Sequence, residues 1–235
     1  MTDFAKLVEF DPSRLGVEGE THGTTVLALR YDQGVILLAD RRATAGNYIM
    51  FENAEKVYAL DESTLIAISG SFAKSVEVCR FLKHSFKYYR RSVLQDLSLD
   101  GKLHEISRTL ASNAEAAMQG IGLFLPIVGA YDPHADTFGV YFFDGAGATF
   151  QNGSYACAGS GSERIRGVFE YIARRQGRWE TRPFNDVLRD GMEILAIAAE
   201  LDSATGGYQK VWPAAKCLSR EGIRPISDEE LKAVV

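Results

Sequence analysis

The chain has 235 residues, 46% of them hydrophobic and 24% charged, with a formal net charge of −5. That balance suits a folded protein large enough to bury its own core, and without a Lys/Arg stripe it argues against nucleic acid as a partner. Cys79, Cys157 and Cys217 are far apart and odd in number, so no disulfide framework and no metal spacing follows, and a reducing cytoplasm is expected.

Residues 1–23 carry a net charge of −3 and lack an apolar run. They therefore read as an N-terminal arm and not as a signal peptide. From His22 to Asp40 two apolar runs, Val26–Leu29 and Val35–Ala39, flank the turn Asp32-Gln33-Gly34. That is a β-hairpin, with Gly34 expected to supply a positive φ. Lys56–Asp61 and Thr64–Gly70 read as a second strand pair. Phe72, Ser75, Cys79, Leu82, Phe86 and Tyr89 share one face at helical spacing, predicting a helix from about Ser71 to Arg91. The Lys and Arg residues at 83–91 read as its solvated face.

A second helix is expected over Lys102–Gln119, with Leu103, Ile106, Leu110, Ala114 and Ala117 inward and Gly120 and Gly122 ending it. Strands follow at Phe124–Tyr131, Phe138–Asp144 and Thr149–Ala158, then helices at Ser162–Gln176 and Phe184–Leu201. A last strand pair, Val211–Leu218 and Ile223–Pro225, precedes a short helix signalled by the capping box Ser227/Glu230. No apolar run approaches the ~20 residues a membrane helix requires. Blocks of hairpins alternating with helix pairs do not suit a doubly wound parallel sheet. The expected class is α+β: one domain in four αββα layers, two antiparallel sheets face to face with a helix pair outside each.

Several familiar chemistries have no support. There is no phosphate-binding Gly-x-x-x-x-Gly-Lys loop and no His-Glu-x-x-His. The Gly159-x-Gly161 pair has Arg164 where a dinucleotide loop needs its third glycine. The four histidines, His22, His84, His104 and His134, are scattered, leaving a Ser-His-Asp triad without local support. No cofactor and no metal is implied.

Three blocks, in order and spacing, carry a resemblance. They are Gly23-Thr24-Thr25 through Asp40-Arg41-Arg42-Ala43-Thr44 with Lys56, then Ala158-Gly159-Ser160-Gly161-Ser162, then Asp202-Ser203-Ala204-Thr205-Gly206-Gly207. Together they resemble a proteasome β subunit. Ala116-Ala117-Met118-Gln119-Gly120 followed by an apolar strand is similar to the bacterial branch. The resemblance implies the N-terminal nucleophile hydrolase fold and a cytoplasmic threonine endopeptidase. Residues 1–23 would be a propeptide removed by self-cleavage at Gly23-Thr24, leaving 24–235 as the catalytic domain.

Carried over by position, Thr24 is the nucleophile, Lys56 the cation beside it and Asp40 the acid paired with that lysine. Ser160, Asp202 and Thr205 surround the new amino terminus, with Thr205 where many members have Ser. Gly70 supplies the oxyanion N–H, and Ala43, Thr44, Ala54, Ile68 and Phe72 match the substrate pocket, implying apolar residues before the cut. The implied partners are other β subunits in seven-membered rings, α subunits, a regulatory ATPase and unfolded polypeptides. Taken without the resemblance, Asp40–Lys56 is an ordinary ion pair and the Ser160 and Asp202 segments are turn and cap chemistry. A homomeric relative and a non-catalytic ring subunit stay open as alternatives.

Overall fold

The computed structural model describes residues 23–235 except Asn47 and Gly120. The expected propeptide therefore lies, Gly23 apart, outside the described residues. Thr25–Tyr31 (β1) and Gly34–Ala39 (β2) form the expected hairpin at the centre of a five-stranded antiparallel sheet. Tyr155–Gly159 (which becomes β10 in chain order) pairs with the outer side of β1, and Ala214–Ser219 (β11) and Gly222–Pro225 (β12) extend the sheet beyond β2. Ala43–Ala45 (β3) and Tyr48–Phe51 (β4) make a separate small hairpin. Val57–Ala59 (β5), Thr64–Ala67 (β6), Ile127–Asp132 (β7), Thr137–Phe143 (β8) and Thr149–Asn152 (β9) form the second sheet, antiparallel throughout.

Helices Phe72–Val93 (α1), Leu99–Ala111 (α2) and Ala114–Met118 (α3) lie between β6 and β7. Ser162–Gln176 (α4) and Phe184–Leu201 (α5) follow β10, and Asp228–Val234 (α6) closes the chain behind the expected capping box. Three hydrophobic layers hold this together. Along β1 and β2, Val26, Ala28, Val35 and Leu37 face the second sheet and meet Val57, Leu65, Ile127 and Val140. The alternate residues Leu27, Leu29, Ile36 and Leu38 meet Ile165 and Phe169 of α4 and Leu188 and Leu195 of α5. Ile66, Val128 and Ala130 turn outward onto Val78, Leu82 and Phe86 of α1 and Ile106 of α2. The central strands are thus covered on both faces, which is why they read as unbroken apolar runs. The four-layer αββα arrangement is the one expected. No helix among the described residues is long and apolar enough to cross a membrane.

Within the α4–α5 layer lies a buried ion pair. Arg182 Nη2 donates to Asp190 Oδ2 at 2.6 Å and to Gln176 Oε1 at 2.5 Å, while its guanidinium lies 5.1 Å from the Trp179 ring centre. Arg220 forks onto both Asp136 oxygens, tying the β11–β12 turn to the β7–β8 turn.

Five expectations need correction. Gly34 does not have a positive φ. It is glycine because a Cβ there would lie 2.0 Å from the Leu218 carbonyl oxygen of β11. Tyr89 is exposed, since the buried face of α1 ends at Phe86. The helix expected at Lys102–Gln119 starts earlier and breaks. Ser98 Oγ accepts the Gly101 N–H, beginning α2 at Leu99 and burying Lys102 against Asp61, and Asn113 turns its amide onto the Gly122 carbonyl at 3.1 Å to separate α2 from α3. Gly120 lies outside the described residues; Gly122 sits at φ 64 beyond α3. The strand expected at Thr149–Ala158 is two strands, because Gly153-Ser154 carries the chain from the second sheet to the first. The strand expected from Phe124 has its ladder from Ile127, with Phe124 making an isolated bridge to Gly70.

Candidate active site

Thr24 stands one residue ahead of β1, and the β1–β10 register places its neighbour Thr25 opposite Gly159. The chains approach so closely that a Cβ on Gly159, at φ 100, would lie 1.7 Å from the Thr24 carbonyl oxygen. Glycine alone fits both constraints. Ser160 N–H then donates to that carbonyl at 2.8 Å, and the Thr24 N–H donates to Ser160 Oγ at 3.3 Å. The Thr24 hydroxyl donates to the Gly23 carbonyl at 2.7 Å. Gly23 itself is packed against Ala204, where an added Cβ would fall 1.8 Å from the Ala204 Cβ, and its N–H donates to Thr44 Oγ1 at 2.9 Å.

Asp40 leaves the end of β2 directly beneath this segment. Its Oδ1 accepts the Thr25 N–H and the Lys56 ammonium, each at 2.9 Å. Its Oδ2 accepts the N–H groups of Arg42 and Gly206, also at 2.9 Å. Four donors use the whole acceptor capacity of the carboxylate. Lys56, just before β5, also donates to the Arg42 carbonyl at 2.5 Å. The two charged side chains are 1% and 0% exposed. Burial pushes the Lys56 pKa below the usual lysine value; the charge and hydrogen bond of Asp40 oppose this, Arg42 adds to it, and burial prevails.

A second carboxylate lies past the end of α5. Asp202 Oδ2 accepts from Ser160 Oγ at 2.5 Å and from Thr205 Oγ1 at 2.6 Å, and Oδ1 accepts from the Ala204 N–H at 3.4 Å. Burial works to raise the Asp202 pKa, but those hydrogen bonds and the charge of Arg164 outweigh it, so the carboxyl is held below its ordinary range. Thr205 Oγ1 is 2.7 Å from Thr25 Oγ1, which closes a loop of contacts back to β1. The six residues expected as catalytic, Thr24, Asp40, Lys56, Ser160, Asp202 and Thr205, are therefore joined in one hydrogen-bonded group through Thr25.

Gly70 sits at φ 97, and a Cβ there would lie 2.2 Å from the Leu123 carbonyl oxygen. Its bridge to Phe124 is made by Ser71 N–H to the Leu123 carbonyl and Leu125 N–H to the Ser69 carbonyl. In such a wide antiparallel pair the central residue's own N–H points away from the partner strand. Of the expected pocket residues, Thr44 contacts Gly23 as above, Ala43 begins β3 and Ala54 is held to Arg41 through its N–H. Ile68 is 2% exposed and packs with α1, and Phe72 lies against the same cluster. Two participants had no role in the sequence reading. Thr25 was visible only as part of Gly-Thr-Thr. Arg42 holds Asp40 and Lys56 with its backbone while its guanidinium reaches the Ser203 and Thr205 carbonyls and Glu52. The doubled arginine after Asp40 was its one signal.

Comparison with known proteins gives the same family as the motifs. A family model described as Proteasome subunit matches residues 20–177. A proteasome subunit beta of Acidimicrobium ferrooxidans is 31% identical over 244 aligned residues, covering 99% of this chain and 87% of that protein. Those of Jonesia denitrificans and Streptosporangium roseum are 33% and 32% identical, each covering 89% of this chain and 68% and 73% of their own lengths. With a match of this extent and relatives along nearly its whole length, the chain belongs to the proteasome subunit family.

Proposed function

We propose that the chain is a catalytic β subunit of a proteasome core particle, a threonine endopeptidase whose nucleophile is Thr24. One observation carries this: the Thr24 hydroxyl lies 2.7 Å from the Gly23 carbonyl oxygen while its N–H is held by Ser160, and the N–H of the next residue, Thr25, is bonded to Asp40 of the buried Asp40–Lys56 pair. In the uncut chain, attack of Thr24 Oγ1 on the Gly23 carbonyl carbon forms an ester as the Gly23–Thr24 C–N bond breaks, and the departing nitrogen takes the hydroxyl proton. Water hydrolyses that ester, releasing residues 1–23 and freeing both the hydroxyl and a primary amine on Thr24.

A threonine hydroxyl is a weak nucleophile and needs a base. The new α-amine, with a reference pKa of about 7.7–8.0, accepts its proton during attack on a substrate carbonyl. General-base help of this kind contributes ~10²–10⁴ in rate. The Lys56 cation favours the developing alkoxide, and Asp40 holds that cation in place. The Gly70 N–H receives the oxyanion, an interaction worth ~3 kcal/mol when preorganised. The protonated amine then gives its proton to the leaving peptide nitrogen, and water resolves the acyl ester on Thr24. Asp202 stays ionised and orients the amine through Ser160. Ala43, Thr44, Ala54, Ile68 and Phe72 border the substrate, which is an unfolded polypeptide entering a chamber of seven-membered rings. The ring partners are other β subunits, with α subunits and an ATPase feeding the chamber.

Intact mass of the assembled protein tests this reading. The wild type is expected to lose residues 1–23 and the Thr24→Ala chain to keep them and to be inactive on peptides; a peptidase-active particle that keeps its full length would overturn it. A second expected outcome concerns Gly23. Because an added Cβ would strike Ala204, Gly23→Ala shifts the Thr24 hydroxyl from its carbonyl target. The fraction of uncut chains in the assembled particle should rise several-fold, with peptidase activity per cut chain unchanged.

A further inference from the structure

We propose that Thr25 is a positioning residue whose hydroxyl holds the two carboxylate systems of the site in register on either side of the nucleophile. This rests on the assignment of Thr24 above. Thr25 is fully buried. Its N–H is committed to Asp40 Oδ1 at 2.9 Å, and its Oγ1 is 2.7 Å from Thr205 Oγ1.

The direction of that second bond follows from counting protons. A hydroxyl has one proton to give and an ionised carboxylate has none. Thr205 gives its proton to Asp202 Oδ2 at 2.6 Å, and Ser160 gives its own to the same oxygen at 2.5 Å. Thr205 Oγ1 is therefore the acceptor, and the Thr25 hydroxyl is the donor. The resulting chain runs Thr25 O–H to Thr205 O–H to Asp202, with Ser160 entering Asp202 from the other side and holding the Thr24 nitrogen. Each hydroxyl that accepts a bond becomes a stronger donor, so the Thr25 end reinforces the Asp202 end.

The consequence falls on Thr24. Its nitrogen is fixed through Ser160 and Asp202, and its carboxyl side is fixed through both polar groups of Thr25. Thr25 thus ties the Asp40–Lys56 half to the Asp202 half with a side-chain link, beside those made by the Gly206 N–H and the Arg42 guanidinium. The surroundings are built around that oxygen: a Cβ on Gly161 would lie 2.4 Å from Thr25 Oγ1, so the glycine opening α4 leaves the space the hydroxyl occupies. The clearance would suit any γ atom; the 2.7 Å separation from Thr205 Oγ1 is what calls for a hydroxyl there.

Thr25→Val keeps the β-branched shape and removes the donor; Thr25→Ser keeps the donor and removes a methyl. Both are compared with wild type on particles whose mass shows a free Thr24. The valine variant is expected to lose on the order of tenfold in kcat, the loss typical of one buried hydrogen bond, with KM unchanged. The serine variant should stay within about threefold of wild type, and thermal midpoints should not follow the same order. Where the valine chain does not assemble, Thr25→Ala, which also lacks a donor, replaces it in the comparison with serine. Wild-type kcat in Thr25→Val (or in its Ala replacement), or a serine variant as slow as the hydroxyl-free one, would overturn the proposal. The Thr24→Ala control separates the two readings. If it is active, the nucleophile is wrongly assigned; if it is inactive and Thr25→Val is not slowed, only the role of Thr25 fails.

Discussion

Asp40→Asn is expected to lower peptidase activity by at least ~10²–10⁴-fold, the range associated with losing organised acid–base chemistry, and to leave most chains uncut. The reason is that Asp40 is surrounded only by donors: Thr25 N–H and Lys56 on one oxygen, Arg42 N–H and Gly206 N–H on the other. An asparagine amide, flipped either way, turns its NH2 toward two of them. The Lys56 ammonium would also lose its counter-charge inside the protein, and breaking a buried pair in this manner costs ~3–5 kcal/mol. The lysine can respond by shedding its proton. Burial already lowers its pKa, and the charge and hydrogen bond of Asp40 are what hold it up. Without them the pKa moves further down. The cation that favours the Thr24 alkoxide is lost as pH rises through that pKa, so the alkaline limb of kcat should move to lower pH in the variant. Peptide hydrolysis and intact mass check the first part and a pH profile the second. Activity within tenfold of wild type would remove Asp40 from the mechanism.

The largest effect on stability is expected away from the site. Asp190→Ala strands Arg182, whose side chain is only 8% exposed and whose guanidinium is held by Asp190, Gln176 and the face of Trp179. An uncompensated buried charge costs ~3–5 kcal/mol, which in a domain of this size lowers the thermal midpoint by on the order of 10 °C. Replacing both partners by leucine should recover much of that loss, since the desolvation of two charges is then avoided. Activity per assembled particle should stay near wild type, because none of these residues contacts Thr24, Asp40 or Lys56. Calorimetry of the single and double variants measures the first, and active-site titration the second. A single variant as stable as wild type would mean that Arg182 reaches water in solution.

The parts of the fold that were legible are those where one periodicity runs uninterrupted. The helices at Ser162–Gln176 and Phe184–Leu201 were read to the residue because one face is apolar throughout and Gly or Pro stands at an end. The failures arose where a tertiary contact decides a local matter. Nothing in Thr149–Ala158 says that its two halves belong to different sheets; the polar run Gln151-Asn152-Gly153-Ser154 marks an interruption but not a change of sheet. Asn113 breaks a helix because a carbonyl nine residues on is within reach of its amide. Gly34 looked like a turn glycine, yet the constraint comes from strand β11, 184 residues later in the chain. The site divides in the same way. Asp40, Lys56 and the Ser160 and Asp202 segments were found by resemblance, since a lysine before a strand and a serine after one carry no chemical label of their own. Thr25 and Arg42 were passed over because their part is defined by what they connect, and connection is visible only in three dimensions.

The bond from the Thr24 nitrogen to Ser160 exists while Thr24 is still an amide in mid-chain. Its acceptor is bonded to Asp202, whose carboxyl is held below its ordinary range. In the proposed scission that amide becomes an amine, and the nitrogen would gain basicity and keep its anchor, so the electrical character of the centre would change while its architecture stood still.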